Sequence, residues 1–146
     1  MPFTNYFSKA ILDQAFRCTA YTFPTTMYVG LGLNTGTPDG SGADGRTGFN
    51  EPGSGLGYAR FTYANNTTNW PAATGTTNAT KSNSVAITFG PNTTTNWGTV
   101  AYWGLFDGGT LGAGNLCIYG SLTLAKAVNI GDSPSFAIGA LTITLT

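Results

Sequence analysis

The sequence predicts an all-β protein, an antiparallel β-sandwich of the jelly-roll or immunoglobulin-like type, with one amphipathic helix at its N-terminus. Short apolar or alternating runs recur between turn residues along most of the chain, and helical periodicity occurs only near the start. The chain is also rich in aromatic residues, with 9 Phe, 7 Tyr and 3 Trp among 146 residues. This length predicts a single domain, residues 1–146, with one hydrophobic core.

The helix is predicted at about residues 5–16, with Thr4 or Asn5 as its N-cap. Its apolar face consists of Phe7, Ile11 and Ala15, flanked by Leu12 and Phe16. Lys9, Asp13 and Arg17 form a polar stripe at i, i+4 spacing. The apolar face packs either on the protein's own sheet or against a neighbouring subunit, so Phe7 and Ile11 are candidate interface residues.

The remainder of the chain predicts six strands and a possible seventh. They lie at residues 27–33, 58–63, 85–89, 99–106, 116–122 and 136–145, with 20–23 as the additional one. The last strand changes its apolar phase at Gly139, which predicts a β-bulge there.

Two long connections interrupt the strands. Residues 34–57 form a glycine-rich loop, and a loop of that length is usually functional or mobile. Residues 65–83 form a polar loop that carries Trp70 before Pro71. Trp70 either fixes this loop to the body of the protein as a hydrophobic plug or contacts a ligand or partner.

The strand at residues 99–106 has large side chains on both of its faces. Val100, Tyr102 and Phe106 point one way, whereas Ala101, Trp103 and Leu105 point the other. Either the helix or a long loop covers the second face and Trp103 belongs to the core, or another chain covers it and Trp103 is a candidate interface residue.

Charge is scarce and balanced. Only 8% of residues are charged, and six basic residues balance six acidic ones. The chain therefore has no basic excess to attract nucleic acid or an anionic membrane surface, and we expect neither as a partner. The absence of net charge removes the repulsion that would keep copies apart, which favours close packing of many copies.

The sequence offers little for catalysis or cofactor binding. It contains no histidine, which removes the commonest general base and the commonest transition-metal ligand. The carboxylates lie on the helix, in the glycine-rich loop and in turns, where each has a structural role. Cys18 and Cys117 either form one bridge or are free, buried thiols, and a cytosolic folding site favours the free thiols. We expect no enzymatic activity, no metal and no cofactor.

Seven segments resemble a family of small structural proteins encoded by tailed bacteriophages, including phages of cyanobacteria. These segments are NYFSKAILDQAF, AYTFPTTMYVGL, GYARFTY, TNWPAA, KSNSVAITF, WGTVAYWGLFD and GDSPSFAIGALTITLT. The resemblance covers residues 5–33 and 57–146, and the glycine-rich loop between them is longer than the resemblance implies.

Proteins of that family are capsid decoration (cement) proteins or tail fibre proteins. The resemblance therefore implies a virion component that is assembled in the host cytoplasm. The preferred interpretation is a cement protein on the capsid exterior that bridges major capsid protein subunits and associates with itself, for example as a homotrimer. The alternative is a tail fibre or receptor-binding component. The matching motifs mark strands and turns, and none of them implies a catalytic or ligand-binding residue.

Overall fold

The computed structural model describes residues 3–145. They form one α-helix, one 3₁₀ turn and eight strands: α1 (Asn5–Phe16), β1 (Thr26–Leu33), the 3₁₀ turn (Ser54–Leu56), β2 (Phe61–Ala64), β3 (Ala79–Ser82), β4 (Ile87–Thr88), β5 (Gly98–Phe106), β6 (Leu116–Val128), β7 (Ser135–Phe136) and β8 (Thr142–Leu145). All strand pairs are antiparallel. The prediction of a β protein with an N-terminal helix is therefore confirmed.

The strands form one central sheet and two short ribbons. The central sheet has the order β2-β1-β5-β6, and the ribbons pair β3 with β8 and β4 with β7. The core packs one face of the sheet against the ribbons and the residues beside them, which gives a sandwich-like arrangement. Its buried members include Val29, Leu31, Trp103 and Leu105 from the sheet and Ile87, Phe89 and Leu141 from the ribbon side.

Thr4 fixes the start of α1 to the edge strand β6. Its hydroxyl accepts a hydrogen bond from the backbone N–H of Phe7 at 3.3 Å and donates one to the carbonyl of Leu116 at 2.5 Å. Its backbone N–H donates to the carbonyl of Cys117 at 3.0 Å. Thr4 is therefore the N-cap, as predicted, and the same hydroxyl holds the helix on the sheet.

The glycine-rich loop covers the second face of the central sheet. Its buried Phe49 packs with Phe106 and Leu116 in a separate small core, and the rings of Phe49 and Phe106 lie 5.4 Å apart, edge to face. Two glycines of the sheet make room for Phe49, because a Cβ would lie 3.1 Å from its ring at Gly32 and 3.0 Å from it at Gly104. The cover is thus a segment of the same chain.

A buried ion pair fastens this loop to the sheet. The guanidinium of Arg60 donates to both carboxylate oxygens of Glu51, at 2.9 and 2.6 Å, and to the carbonyls of Gly108 and Ala113, at 2.6 and 3.0 Å. It also lies 3.6 Å from the centre of the Phe106 ring. The Arg60 side chain is fully buried and the Glu51 side chain is 8% exposed, so the pair lies in the interior.

The register of β5 differs from simple alternation. A bulge between Val100 and Tyr102 moves Val100 into the same core as Trp103 and Leu105, whereas Tyr102 packs on the other side with Phe106. The prediction that Val100 shares a face with Tyr102 and Phe106 is therefore wrong.

Several predicted strand boundaries are also wrong. Residues 20–23 are not a strand, and the predicted strand at 136–145 divides into β7 and β8 at a turn. Gly139 has a φ of 79° in that turn, so the phase change that predicts a bulge instead marks a break. The polar loop at residues 65–83 contains β3, and β6 continues to Val128.

Candidate interaction surface

The first half of α1 packs into an aromatic cluster on the sheet. The ring of Phe7 lies 5.6 Å from that of Phe3, 6.1 Å from that of Tyr21 and 6.3 Å from that of Phe23. The chain reaches this position because it turns back after the helix, where the N–H of Tyr21 donates to the side-chain oxygen of Gln14 at 2.6 Å. Phe7, a predicted interface residue, is therefore partly buried within its own chain.

The second half of α1 projects into solvent with apolar side chains. Leu12 is 55% exposed and Phe16 is 82% exposed, and no residue of the helix is fully buried. Ile11, the other predicted helix residue, is half-buried. The nearby Asp13 and Arg17 form an exposed ion pair at 3.7 Å. This half of the helix therefore presents an apolar surface without a partner among residues 3–145.

An apolar pocket opens to solvent beside the first half of the helix. Its volume is about 390 Å³. Its apolar lining comes from α1, the segment after it, the sheet, the polar loop and β8: Phe7, Phe23, Pro24, Met27, Trp70, Leu105, Ile118 and Ile143. Asn65, Asn66, Thr67 and Lys81 complete the lining. We call this cavity the helix pocket.

Trp70 forms one wall of the helix pocket and holds the polar loop in place. It is 8% exposed, its indole N–H donates to the side-chain oxygen of Asn65 at 3.0 Å, and its ring lies 5.0 Å from that of Tyr63. These contacts are those of the plug that the sequence suggests. In this position the indole ring also lines the helix pocket, so a group that enters the pocket would contact it.

Trp103 lies in the core. It is 4% exposed, and a Cβ at Gly120 would come within 2.8 Å of its indole nitrogen, so its ring packs directly on the backbone of β6. Of the two predicted positions for Trp103, core or interface, the structure shows the core position. Trp103 presents almost no surface to a partner in this conformation.

A second groove lies beside the C-terminal part of β6, residues 122–128. It has a volume of about 570 Å³, an apolar floor that includes Leu31, Val100 and Phe136, and a polar rim that includes Lys126 and Asp132. Residues 122–125 bulge outward here, because Val100 pairs with Lys126 while Tyr102 pairs with Ser121. Leu124 in this bulge is 73% exposed.

Each of the six acidic residues has a structural partner. Asp107 is the most engaged: its oxygens accept hydrogen bonds from the backbone N–H and the side-chain amide of Asn115 at 2.6 and 2.7 Å and from the phenol of Tyr6 at 3.3 Å. Burial and the charge of Asp107 raise the pKa of Tyr6, so this phenol stays protonated. The others serve turns or ion pairs: Asp13 with Arg17, Asp39 with Ser41, Asp44 with Arg46, Glu51 with Arg60 and Asp132 with Asn129.

The two thiols are both free, but only Cys117 is buried. Burial, with a smaller contribution from the Asp107 carboxylate, raises the pKa of Cys117 to about 12. Cys18 is exposed and follows α1 with a φ of 54°. The expectation that both thiols are buried is therefore wrong for Cys18.

Among residues 3–145, no three Cys, Asp or Glu side chains gather closely enough to hold a metal ion. No helix within that range has the length and apolar character needed to cross a membrane.

Leu12, Phe16 and Phe23 belong to the exposed surface, and the sequence prediction of interface residues omits them. The helical pattern does place Leu12 and Phe16 at the flank of the apolar face, and a face that broad exceeds what one sheet edge can cover. The position of Phe23 depends on the turn after α1, which local periodicity does not predict.

Leu12, Phe16 and Phe23 give the surface large exposed apolar side chains, and a group of such side chains is a feature of interaction sites. The chain belongs to the family of the podophage GP4 fiber I protein gp80, whose family model matches residues 2–144. It is therefore a phage virion structural protein. No curated protein matches the chain.

Proposed function

We propose that this protein is a structural component of the tail fibres of a podophage and that it acts by binding neighbouring virion proteins, with no catalytic step. The observation that carries the proposal is the match to a fibre protein family over residues 2–144. The match extends across the helix, the sheet and both ribbons, so it concerns the whole fold and not a shared local motif.

The surface supports a binding role. Exposed large apolar side chains occur on α1, on the segment after it and on the β6 bulge, where Phe16, Phe23 and Leu124 are 82%, 54% and 73% exposed. Single exposed apolar residues are ordinary, but Leu12, Phe16 and Phe23 belong to one helix and the segment that returns along it. A net charge of zero allows such surfaces to approach one another without Coulomb repulsion.

The family match favours the fibre interpretation over the capsid cement interpretation. The two proposals differ in the number of copies they require. A fibre component is present in a small multiple of the rotational symmetry of the tail, whereas a cement protein is present in numbers comparable to those of the shell subunit.

Quantitative mass spectrometry of purified particles measures this number, with the tail tube and major capsid proteins as internal standards. The fibre proposal predicts a stoichiometry close to that of other tail proteins. A stoichiometry close to that of the major capsid protein would overturn it and would favour the cement interpretation.

A further inference from the structure

Resting on the proposed fibre function, we infer that the helix pocket receives Phe16 from a second copy of this chain. One molecule carries both halves of such a contact: an aromatic ring that is 82% exposed and an apolar pocket of about 390 Å³ that opens to solvent. Each copy therefore carries both an exposed phenyl ring, that of Phe16, and a pocket that can receive such a ring.

The pocket is large enough and of the right chemistry for this side chain. A dry apolar cavity of about 150 Å³ accommodates a benzene molecule, so the helix pocket has room for a phenyl ring and part of the helix that bears it. Its wall includes Phe7, Phe23 and Trp70, which offer aromatic contacts to an entering ring. The lining has little polar surface that would be left without a hydrogen-bond partner.

The ring cannot come from the same molecule. The first half of α1 is fixed by the hydrogen bonds of Thr4 to β6 and by the packing of Phe7 at the pocket wall. Phe16 lies nine residues after Phe7, which at roughly 1.5 Å per residue places it about 13 Å farther along the helix axis. While the helix keeps its position, only a neighbouring molecule can deliver Phe16 to the pocket.

Charge at the two surfaces is compatible with this contact. Lys81 is the only charged residue among those that line the helix pocket. Asp13, three residues before Phe16, supplies a carboxylate on the helix that approaches it, and its present partner, Arg17, is mostly exposed. Asp13 and Arg17 both accompany Phe16, so the approaching helix end is neutral and Asp13 is available to Lys81. The ring with its neighbour Leu12 supplies most of the buried apolar area.

The two halves of the contact are different surfaces, so the interface is heterologous. Such a contact closes into a ring if its rotation closes and otherwise continues as a filament. Either outcome joins several copies of one small domain into a cyclic or an elongated assembly.

Sedimentation equilibrium of the purified protein tests this inference, with two variants that each remove one half of the contact. Phe16→Ala removes the ring. Thr67→Arg places a long charged side chain at the pocket, where Thr67 is exposed and makes no side-chain hydrogen bond among residues 3–145. We expect each variant alone to raise the dissociation constant roughly ten- to one-hundredfold, which corresponds to the burial of one phenylalanine side chain.

A mixture of the two variants provides the sharper result. The Thr67→Arg protein retains its ring and the Phe16→Ala protein retains its pocket, so the mixture forms a heterodimer that does not grow further. Ile130→Ala is the matched control, because Ile130 is 60% exposed and lies outside the helix pocket, and it should associate as the wild type does.

Three results would overturn the inference: a wild-type protein that stays monomeric at high concentration, a Thr67→Arg protein that associates normally while Phe16→Ala does not, or an equal loss of association in Ile130→Ala. None of these results changes where the protein lies in the particle. The fibre proposal, which depends on location and copy number, can therefore fail or stand independently.

Discussion

The buried ion pair of Glu51 and Arg60 gives the most specific prediction about stability, and Glu51→Gln tests it. The substitution keeps the shape of the side chain but removes its charge. It also replaces one carboxylate oxygen, which accepts a hydrogen bond from the guanidinium, with an NH₂ group, which can only donate. Arg60 would then keep only one of its two hydrogen bonds to this residue, at 2.9 and 2.6 Å in the native protein, while its charge stays buried.

The expected loss follows from the burial of the charge that remains. Removing one partner of a buried pair costs about 3–5 kcal/mol, because the other charge is left without compensation. The bonds from Arg60 to the carbonyls of Gly108 and Ala113 persist, so they reduce the loss but do not replace the missing negative charge. For a chain of this length, such a loss lowers the melting temperature by roughly 10–15 °C.

Urea unfolding followed by tryptophan fluorescence measures the free energy of unfolding. Asp13→Asn is the matched control, since it makes the same change from carboxylate to amide in a pair whose side chains are 74% and 43% exposed. The control should lose less than about 1 kcal/mol. A Glu51→Gln protein that unfolds within about 1 kcal/mol of the wild type would show that the ion pair does not hold the glycine-rich loop on the sheet.

Three further predictions concern the core, the thiols and the surface charge. Trp103→Ala should lower the free energy of unfolding by about 3–5 kcal/mol, because Trp103 is 4% exposed. Urea unfolding measures this loss, and a loss below about 1 kcal/mol would contradict a core position. In the folded protein at neutral pH, a maleimide should label Cys18 rapidly and Cys117 only on unfolding. Cys18 is exposed, whereas burial raises the pKa of Cys117 to about 12 and keeps it a thiol. Intact mass spectrometry counts the labels, and rapid double labelling would contradict the burial of Cys117. Self-association should change little between about 0.05 and 0.5 M salt, because only 8% of residues are charged, and a steep loss in sedimentation equilibrium would contradict a mainly apolar interface.

The sequence predicts the helix and the central strands well, because their signals are local. Thr4 is a good N-cap, and apolar spacing marks α1 at the bounds that the structure has, Asn5–Phe16. The strand β1 and the end of β5 coincide with continuous apolar runs. By contrast, β3 has the sequence ATKS, whose polar residues give no strand signal, and it forms because its backbone pairs with β8.

The role of the glycine-rich loop depends on contacts that lie far apart in sequence. A loop with so much glycine suggests mobility, but Phe49 and Glu51 fasten it to Phe106 and Arg60. Phe49 and Glu51 are the aromatic residue and the glutamate in a segment otherwise composed mainly of small and polar residues. Their presence is the feature of the sequence that indicates an attached loop. A long loop is one of the predicted covers for the second face of β5, and the glycine-rich loop takes that position.

The candidate surface is harder to predict because it depends on how much of an apolar helix the sheet covers. Phe7 and Ile11 lie on the partly buried side of α1, whereas Phe16, nine residues after Phe7, lies on the opposite side at 3.6 residues per turn and is exposed. Periodicity shows which residues share a side of a helix, whereas exposure depends on which side the sheet covers. Trp103 illustrates the converse, since it lies on the face of β5 that packs against the ribbon side, while the glycine-rich loop covers the opposite face with Phe106.

The position of this chain on the intact phage tests the fibre proposal most directly. A cryo-electron microscopy reconstruction of the particle, with gold-labelled antibodies against the purified protein as a second marker, would locate it. We expect the protein to lie on fibres attached to the tail, with neighbouring copies in contact through α1. A protein distributed over the capsid lattice, or absent from the tail, would contradict the fibre proposal.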